Sequence, residues 1–341
     1  RLSFRIGAVD NPNARRVNRI PMPTMGGLAI FVAFNTTNFF LLRDQYPLSQ
    51  LVALLLAQSL IIMTGMIDDI FELKPRQKVL GITLAALVVY FIANIKMTTL
   101  TLPFLGVVSL GWFSLPITLI WILGITNAVN LIDGLDGLAT GVAIIALSTS
   151  ALTGYFFLNV TSTFISIMMA TLVAALLGFL PYNFHPAKIY LGDTGSLFIG
   201  FMISVFSLYG LKNATFITLI IPVIILGVPI TDTLYAILRR LLNKKPISQA
   251  DKHHLHHRLM QMGLTHRQTV LVIYGIALIF SFISLLYPLS NLWGSILLTV
   301  ATLFGLELFV EAIGLVGDTR QPLLNGIKYL VLKVSHLFEH R

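Results

Sequence analysis

Apolar stretches of about 18 to 20 residues, almost free of charge, recur along the whole of this 341-residue chain. An α-helix needs roughly 20 such residues to cross the ~30 Å hydrocarbon layer of a bilayer. A large water-soluble helical core is the alternative, but most of the runs show no water-facing polar stripe. Residues are 56% hydrophobic and 11% charged, against about 25% charged in soluble domains. The expected fold is therefore all-α: a polytopic integral membrane protein, a single domain over residues 1–341.

Ten membrane segments are predicted, near 26–42, 49–67, 78–96, 113–127, 138–158, 163–181, 196–211, 215–234, 269–287 and 293–313. Alternation across the bilayer sorts the loops into two sets. One set (1–25, 68–78, 128–137, 182–195, 235–268 and 314–341) carries twenty of the 23 Lys and Arg residues; the other holds Arg43, Lys96 and Lys212. Basic loops face the cytoplasm, so the first set is placed there. The same asymmetry explains the net charge of +9. A strongly basic chain otherwise points to nucleic acid; here no nucleic-acid partner is expected, and membrane lipids are. With no cysteine, disulfides are excluded. Two cytoplasmic segments are long: the Pro-, Asn- and Arg-rich stretch 1–25, and the basic, histidine-rich loop 239–268. Long loops in compact proteins are often functional. The tail 322–339 mixes apolar residues with Lys328, Lys333 and His336, a pattern suited to a helix on the inner leaflet.

Five polar stretches hold seven of the 14 carboxylates, each at the end of an apolar run on the cytoplasmic side. Asp68 and Asp69 close the second span. Adjacent carboxylates repel unless a cation or proton sits between them; a solvated loop is the plainer reading. Asn130, Asp133 and Asp136 lie in Asn-Leu-Ile-Asp-Gly-Leu-Asp-Gly before the fifth span. On a helix the two acids share a face, and a helix N-terminus favours an anion, although Asp-Gly-Leu-Asp-Gly is also an ordinary turn. Gly192-Asp193-Thr194-Gly195-Ser196 puts an acid on a turn that starts another helix. A few carboxylates completed by phosphate oxygens suit Mg²⁺. His253, His254, His256 and His257 read as a zinc site, a solvated basic loop or, with Lys252 and Arg258 flanking them, a diphosphate site. Asp232 ends the eighth span near Arg239 and Arg240 and is read equally as their ion-pair partner or as a substrate contact.

In order, Pro-x-Pro-x-x-Gly-Gly (21–27), Asp-Asp (68–69), Asn-Ala-Val-Asn-Leu-Ile-Asp-Gly-Leu-Asp-Gly-Leu-Ala (127–139), Gly-Asp-Thr-Gly-Ser (192–196) and His-Leu-His-His (254–257) cover essentially the whole chain. This set resembles the polyprenyl-phosphate N-acetylhexosamine-1-phosphate transferase family. The histidine loop, with Asp251 to Leu259 followed by Gly263 to Gln268, resembles the UDP-GlcNAc branch, which starts wall teichoic acid and related envelope polymers. The branch using UDP-MurNAc-pentapeptide, which carries three consecutive histidines followed by Glu, is the alternative. Asn18 stands where the UDP-GlcNAc branch has His, and Arg19 beside it is expected to take over part of that role. The resemblance implies eleven spans with the first preceding Arg1, so an N-terminal helix is expected to be missing.

The resemblance also implies the chemistry. GlcNAc-1-phosphate moves from UDP-GlcNAc to undecaprenyl phosphate at the cytoplasmic face of a bacterial plasma membrane, UMP leaves, and Mg²⁺, or Mn²⁺ in its place, assists. Asp193 and Asn130 would hold the metal. Asp68, Asp69, Asp133 and Asp136 form the catalytic acids, with Asp68 or Asp69 positioning or deprotonating the lipid phosphate. Asp136 would hydrogen-bond uracil, Tyr190 stack on it and Asn183 reach the ribose. Arg19, His254, His256, His257 and Arg267 would bind phosphates or sugar. Direct attack and a double displacement through a carboxylate both stay open, as does a homodimer. Three rivals were weighed. A transporter or lipid flippase is the less favoured alternative, because the span centres are nearly bare of acids. A CDP-alcohol phosphatidyltransferase lacks its signature here, and an idle scaffold would not retain every expected acid.

Overall fold

The computed structural model describes residues 2–10, 21–42, 47–102, 106–157, 161–210, 213–244, 246, 253–315, 321–327 and 329. After a short helix α1 (Leu2–Ile6), β1 (Val9–Asp10) pairs antiparallel with β2 (Met22–Pro23), Val9 opposite Pro23. Then come α2 (Gly26–Leu42), α3 (Leu48–Phe71), α4 (Pro75–Phe91), β3 (Thr99–Leu102), β4 (Gly106–Ser109) and α5 (Ser114–Ile132). They are followed by α6 (Leu138–Phe157), α7 (Thr161–Asn183), α8 (Gly192–Gly210), β5 (Asn213–Thr215), α9 (Phe216–Ile225) and α10 (Gly227–Leu242). The chain closes with α11 (Leu255–Gln261), α12 (His266–Leu286) and α13 (Leu292–Ile313).

The all-α expectation holds. Among the described residues, seven helical segments are long and apolar enough to cross a membrane: 48–71, 111–132, 138–157, 163–183, 192–209, 266–289 and 292–313. The other three predicted spans differ. Gly26–Leu42 is a shorter apolar helix. The third, expected to reach residue 96, stops at Phe91 because the chain turns into β3. The eighth is not one helix but two, α9 and α10, broken at Leu226. Pro229 has no N–H to return to the preceding turn, so the helix breaks one turn before it. A small sheet ordered β4-β3-β5 joins the α4–α5 and α8–α9 connections, at the end of the bundle away from the five polar motifs; the sequence reading did not foresee it.

Helix α8 lies at the centre, packed against α2, α3 and α5. Leu197, Phe198, Ile199, Phe201, Met202 and Val205 are fully buried all round it, as expected of a helix that is apolar on every side. Its N-terminal turn is approached closely by two neighbours. A methyl group at Gly65 would lie 2.4 Å from Cα of Thr194, and one at Gly27 would lie 2.1 Å from Cα of Gly195. Residues 190–191 are gripped in turn by the N-terminal strap: Tyr190 N–H donates to the Pro23 carbonyl (2.9 Å), and Gly26 N–H donates to the Tyr190 carbonyl (3.0 Å).

The close approach at Gly65 is testable. Gly65→Ala must push α3 off α8, with an expected stability loss of ~1–3 kcal/mol. Gly124→Ala is the control, because nothing lies within 4 Å of a methyl group there. Thermal unfolding in detergent should show a lower midpoint for Gly65→Ala only; equal midpoints would mean that the helices part freely.

Candidate functional site

One helical turn separates Gly65 from Asp69, so the contact that seats α3 on α8 carries Asp69 to the start of α8. Its Oδ1 accepts from Asp193 N–H (2.8 Å), and its Oδ2 accepts from Thr194 N–H (3.1 Å) and Thr194 Oγ (2.6 Å). A carboxylate that satisfies the orphan donors of a helix N-terminus typically stabilises by ~0.5–2 kcal/mol. Asp68 points elsewhere. Its side chain is 5% exposed and forms an ion pair with Lys78, and its Oδ1 accepts from Leu73 N–H (2.7 Å). The two adjacent carboxylates therefore point to different partners, and a neighbouring cation holds Asp68 as expected. Lys78, on α4, bridges Asp68 and Asp193, the latter at 2.8 Å.

Asp193 also receives the Asn130 amide at 2.5 Å, and Asn130 donates to Ser196 Oγ at 2.8 Å. The two expected metal-binding residues thus meet, from α5 and α8. Asp133 caps the end of α5. Its carboxyl is pushed well above the ordinary carboxylate range by burial, reinforced by the charges of Asp193, Asp69 and Asp136. All four acids therefore converge on one region at this end of the bundle, with Lys78 among them.

Asp136 sits beside that group. Its Oδ2 meets His185 Nδ1 (2.7 Å) and Ala187 N–H (3.1 Å), while its own N–H donates to His266 Nε2 (3.0 Å). The His185 and His266 rings stack at 4.2 Å. Among the described residues, Asp136, His185 and His266 are the one group of histidines and acids whose ligand atoms, within 4.8 Å of one another, could share a metal ion. Among the described residues, the clustered histidines of the loop form no such group. Tyr190 is half-buried, and its hydroxyl pKa is raised by burial and then by the Asp136 charge; the expected pair of Tyr190 and Asp136 is brought together.

Asn183 is buried, its Oδ1 accepts from Thr140 Oγ (2.8 Å) and its Nδ2 donates to the Ile189 carbonyl (3.1 Å). Both ends of its amide thus help to hold the 184–189 turn, a bracing role that the sequence reading did not give it. Arg267 is exposed and donates from Nε to the His185 carbonyl (3.1 Å). Arg19 lies outside the described residues.

Asp232 joins the histidine loop to the bundle. Buried on α10, it meets His254 Nδ1 at 2.9 Å and accepts from Leu255 N–H at 2.8 Å, capping α11. From there α11 carries His256 onto the acidic turn, where a methyl group at Gly134 would lie 2.6 Å from the His256 ring. Burial, then the neighbouring His257, lowers the His256 pKa to about 3. In the chain without substrate, burial therefore disfavours a charge on His256. His257 lies beside it, ring centroids 4.1 Å apart. Arg258 donates to the Gly314 carbonyl (2.6 Å) and Arg239 to the Leu315 carbonyl (2.5 Å), tying α11 and α10 to the end of α13.

Sequence reasoning missed Lys78, His185 and His266 as site residues. Lys78 carried the one available signal: a cation at the mouth of an apolar run, facing the acids of another.

Membrane-crossing helices, with acids, a lysine and histidines gathered at one end, define a multi-pass membrane enzyme. Residues 51–211 match glycosyl transferase family 4. The chain is 44% identical, over 97% of its length and 91% of the relative's, to the probable undecaprenyl-phosphate N-acetylglucosaminyl 1-phosphate transferase of Bacillus subtilis. It is 35% identical, over 80% and 74%, to the decaprenyl-phosphate N-acetylglucosaminephosphotransferase of Mycobacterium tuberculosis. A phospho-N-acetylmuramoyl-pentapeptide-transferase of Clostridium beijerinckii is 33% identical over 75% and 79%. The chain belongs to the polyprenyl-phosphate N-acetylhexosamine-1-phosphate transferases, within glycosyl transferase family 4.

Neutral, buried His256 makes stability depend on acid. Between pH 6.5 and about 3 the unfolded chain binds a proton at this position that the folded chain refuses, so stability should fall as pH drops through that window. Replacement by His256→Gln removes the group. The unfolding midpoint lost between pH 7 and pH 5 should be smaller in the variant, and an identical loss in both chains would contradict the assignment.

Proposed function

We propose that the protein transfers GlcNAc-1-phosphate from UDP-GlcNAc to undecaprenyl phosphate, releasing UMP, as the first membrane step of an envelope polysaccharide such as wall teichoic acid. The observation that carries this reading is the gathering of Asp69, Asp136 and Asp193 about Asp133, with Lys78 paired to Asp193, in a chain so similar along its length to the Bacillus subtilis relative. The alternative donor, UDP-MurNAc-pentapeptide, is favoured less, since relatives named for it match at lower identity and coverage. The basic loops share the end of the bundle that holds these acids, which supports a site on the cytoplasmic face of the plasma membrane.

Phosphoryl transfer needs positioning and charge neutralisation more than covalent help. In the proposed reaction an oxygen of the lipid phosphate attacks the β-phosphorus of UDP-GlcNAc. The bond from that phosphorus to the bridging oxygen breaks, and UMP leaves with its electron pair. Both oxygens of Asp69 are occupied by the start of α8, and Asp68 is held by Lys78 and Leu73. Neither is poised as a nucleophile, which supports direct attack. Their role is to fix α8 and Lys78, whose ammonium lies where a diphosphate would need positive charge. In this reading Asp136 and Tyr190 receive the uracil.

The donor set fits Mg²⁺. Among the described residues no hydrogen bond or ion pair engages the Asp133 carboxylate, yet three other acids press on it. Asp193 and Asn130, with Asp133 facing them, are the residues that would hold the ion, an oxygen-rich set suited to Mg²⁺ or Mn²⁺. Bound there, the metal would neutralise charge on the diphosphate.

The reading is tested by offering the purified chain undecaprenyl phosphate with labelled UDP-GlcNAc, UDP-GalNAc and UDP-MurNAc-pentapeptide in separate reactions. Lipid-linked GlcNAc and UMP are expected from the first. Turnover of the pentapeptide donor alone would move the protein to the other branch.

The metal assignment has its own measurement. Without metal, Asp133→Asn removes a charge that its surroundings oppose, and the unfolding midpoint at neutral pH should rise. Millimolar Mg²⁺ should raise the midpoint of the unsubstituted chain and leave Asp133→Asn nearly unmoved. An equal Mg²⁺ response in both would take Asp133 out of the site.

A further inference from the structure

We propose that His185 and His266 are positioning residues that clamp Asp136 through its Oδ2 and its backbone N–H, leaving Oδ1 to accept an N–H of the nucleobase. The proposal rests on the reading above that Asp136 meets the base of the sugar nucleotide.

The hydrogen-bond partners fix the proton positions. The Asp136 N–H can only donate, so the His266 Nε2 that meets it at 3.0 Å must accept; the proton of this neutral ring is on Nδ1. The Asp136 carboxylate accepts, so His185 Nδ1, at 2.7 Å, must donate. Ala187 N–H donates to the same oxygen, Oδ2, at 3.1 Å. With two donors, Oδ2 is held, while no described residue donates to Oδ1. The stacked rings, 4.2 Å apart with 22° between their planes, lock the two histidines to each other. Arg267 Nε, on the His185 carbonyl at 3.1 Å, ties the start of α12 to the 183–189 turn.

The result is an ionisable acceptor held from its backbone side and from one oxygen, next to the Tyr190 ring. Uracil N3–H donates to such an oxygen. A uracil methylated at N3 offers no such donor. A site built to pair a donor rejects the analogue that lacks it, because the buried acceptor is left unmatched. The clamp raises that penalty, since a carboxylate fixed through Oδ2 cannot swing away.

The two histidines act through different nitrogens, and this supplies the test. An Asn side-chain nitrogen takes the place of His Nδ1, whereas a Gln side-chain oxygen reaches the place of His Nε2. In the full chain with undecaprenyl phosphate, His185→Ala and His266→Ala should each raise KM for UDP-GlcNAc about 10- to 100-fold, the loss expected for one hydrogen bond to a charged group. The inhibition constant of UMP should rise in step while kcat stays within a few-fold. His185→Asn and His266→Gln should restore KM; His185→Gln and His266→Asn should not. Those amide variants also keep the test open if an alanine variant fails to fold. Unchanged KM in the alanine variants, or equal rescue by both amides at both positions, would overturn the clamp. Asp136→Asn separates the two levels. A raised KM there with normal His variants overturns the clamp alone, whereas a normal KM overturns the base contact and the clamp with it.

Discussion

The rest of the site depends on Asp69 holding the start of α8. Three donors from two residues of α8 converge on that one carboxylate. The bond is reached only because α3 and α8 touch at Gly65 and Thr194, one turn earlier. Helix α8 then presents Asp193 to Lys78 and Asn130. Without the Asp69 contact, the start of α8 would lose the acceptor shared by three of its donors, and Asp193 its direct hydrogen bond to α3. A charge spent on structure in this way is costly to bury and must be matched by several donors.

A second layer of buried polar contacts does the same for the histidine loop. Asp232 caps α11 and holds His254; Arg239 and Arg258 close the exposed carbonyls at the end of α13. Glu311, also buried, accepts from the N–H groups of Leu323 and Leu324, anchoring residues 321–327 to the same corner. Four segments distant in sequence thereby set where His256 meets Gly134. In the chain without substrate the loop contributes shape there more than charge, because a neutral imidazole lies against the turn and the flanking arginine is engaged elsewhere.

The site combines fixed and open groups. Asp68, Asp69 and Asn183 are saturated by the protein itself, whereas Asp133 and the Oδ1 of Asp136 are not. In a low-dielectric setting an acid without donors is unfavourable unless a cation or a hydrogen-bond donor arrives with the substrate. The four converging acids therefore divide between scaffold and ligand contact, a division that spacing alone does not reveal.

The sequence by itself determined the membrane class, the approximate positions of most helices and the end of the bundle where the acids gather. Hydropathy and the Lys/Arg asymmetry are one-dimensional signals, and the bilayer that reads them is itself a one-dimensional constraint along its normal. The ordered motifs marked Asp69, Asn130, Asp133, Asp136, Tyr190 and Asp193, which the structure brings to one place. Only the tertiary structure decided what each of them touches. Asp68 and Asp69 look equivalent in the chain but sit about 100° apart on a helix, one facing Lys78 and the other α8. Asn183 looked like a ligand contact and also braces a loop. Lys78 looked like the first residue of a span, His266 stood out only as part of the stretch 263–268, and His185 carried no signal, because their partner Asp136 is 49 residues from His185 and 130 from His266. The break at Leu226 and the β4-β3-β5 sheet were likewise beyond the pattern, since each depends on how connections far apart in the chain meet.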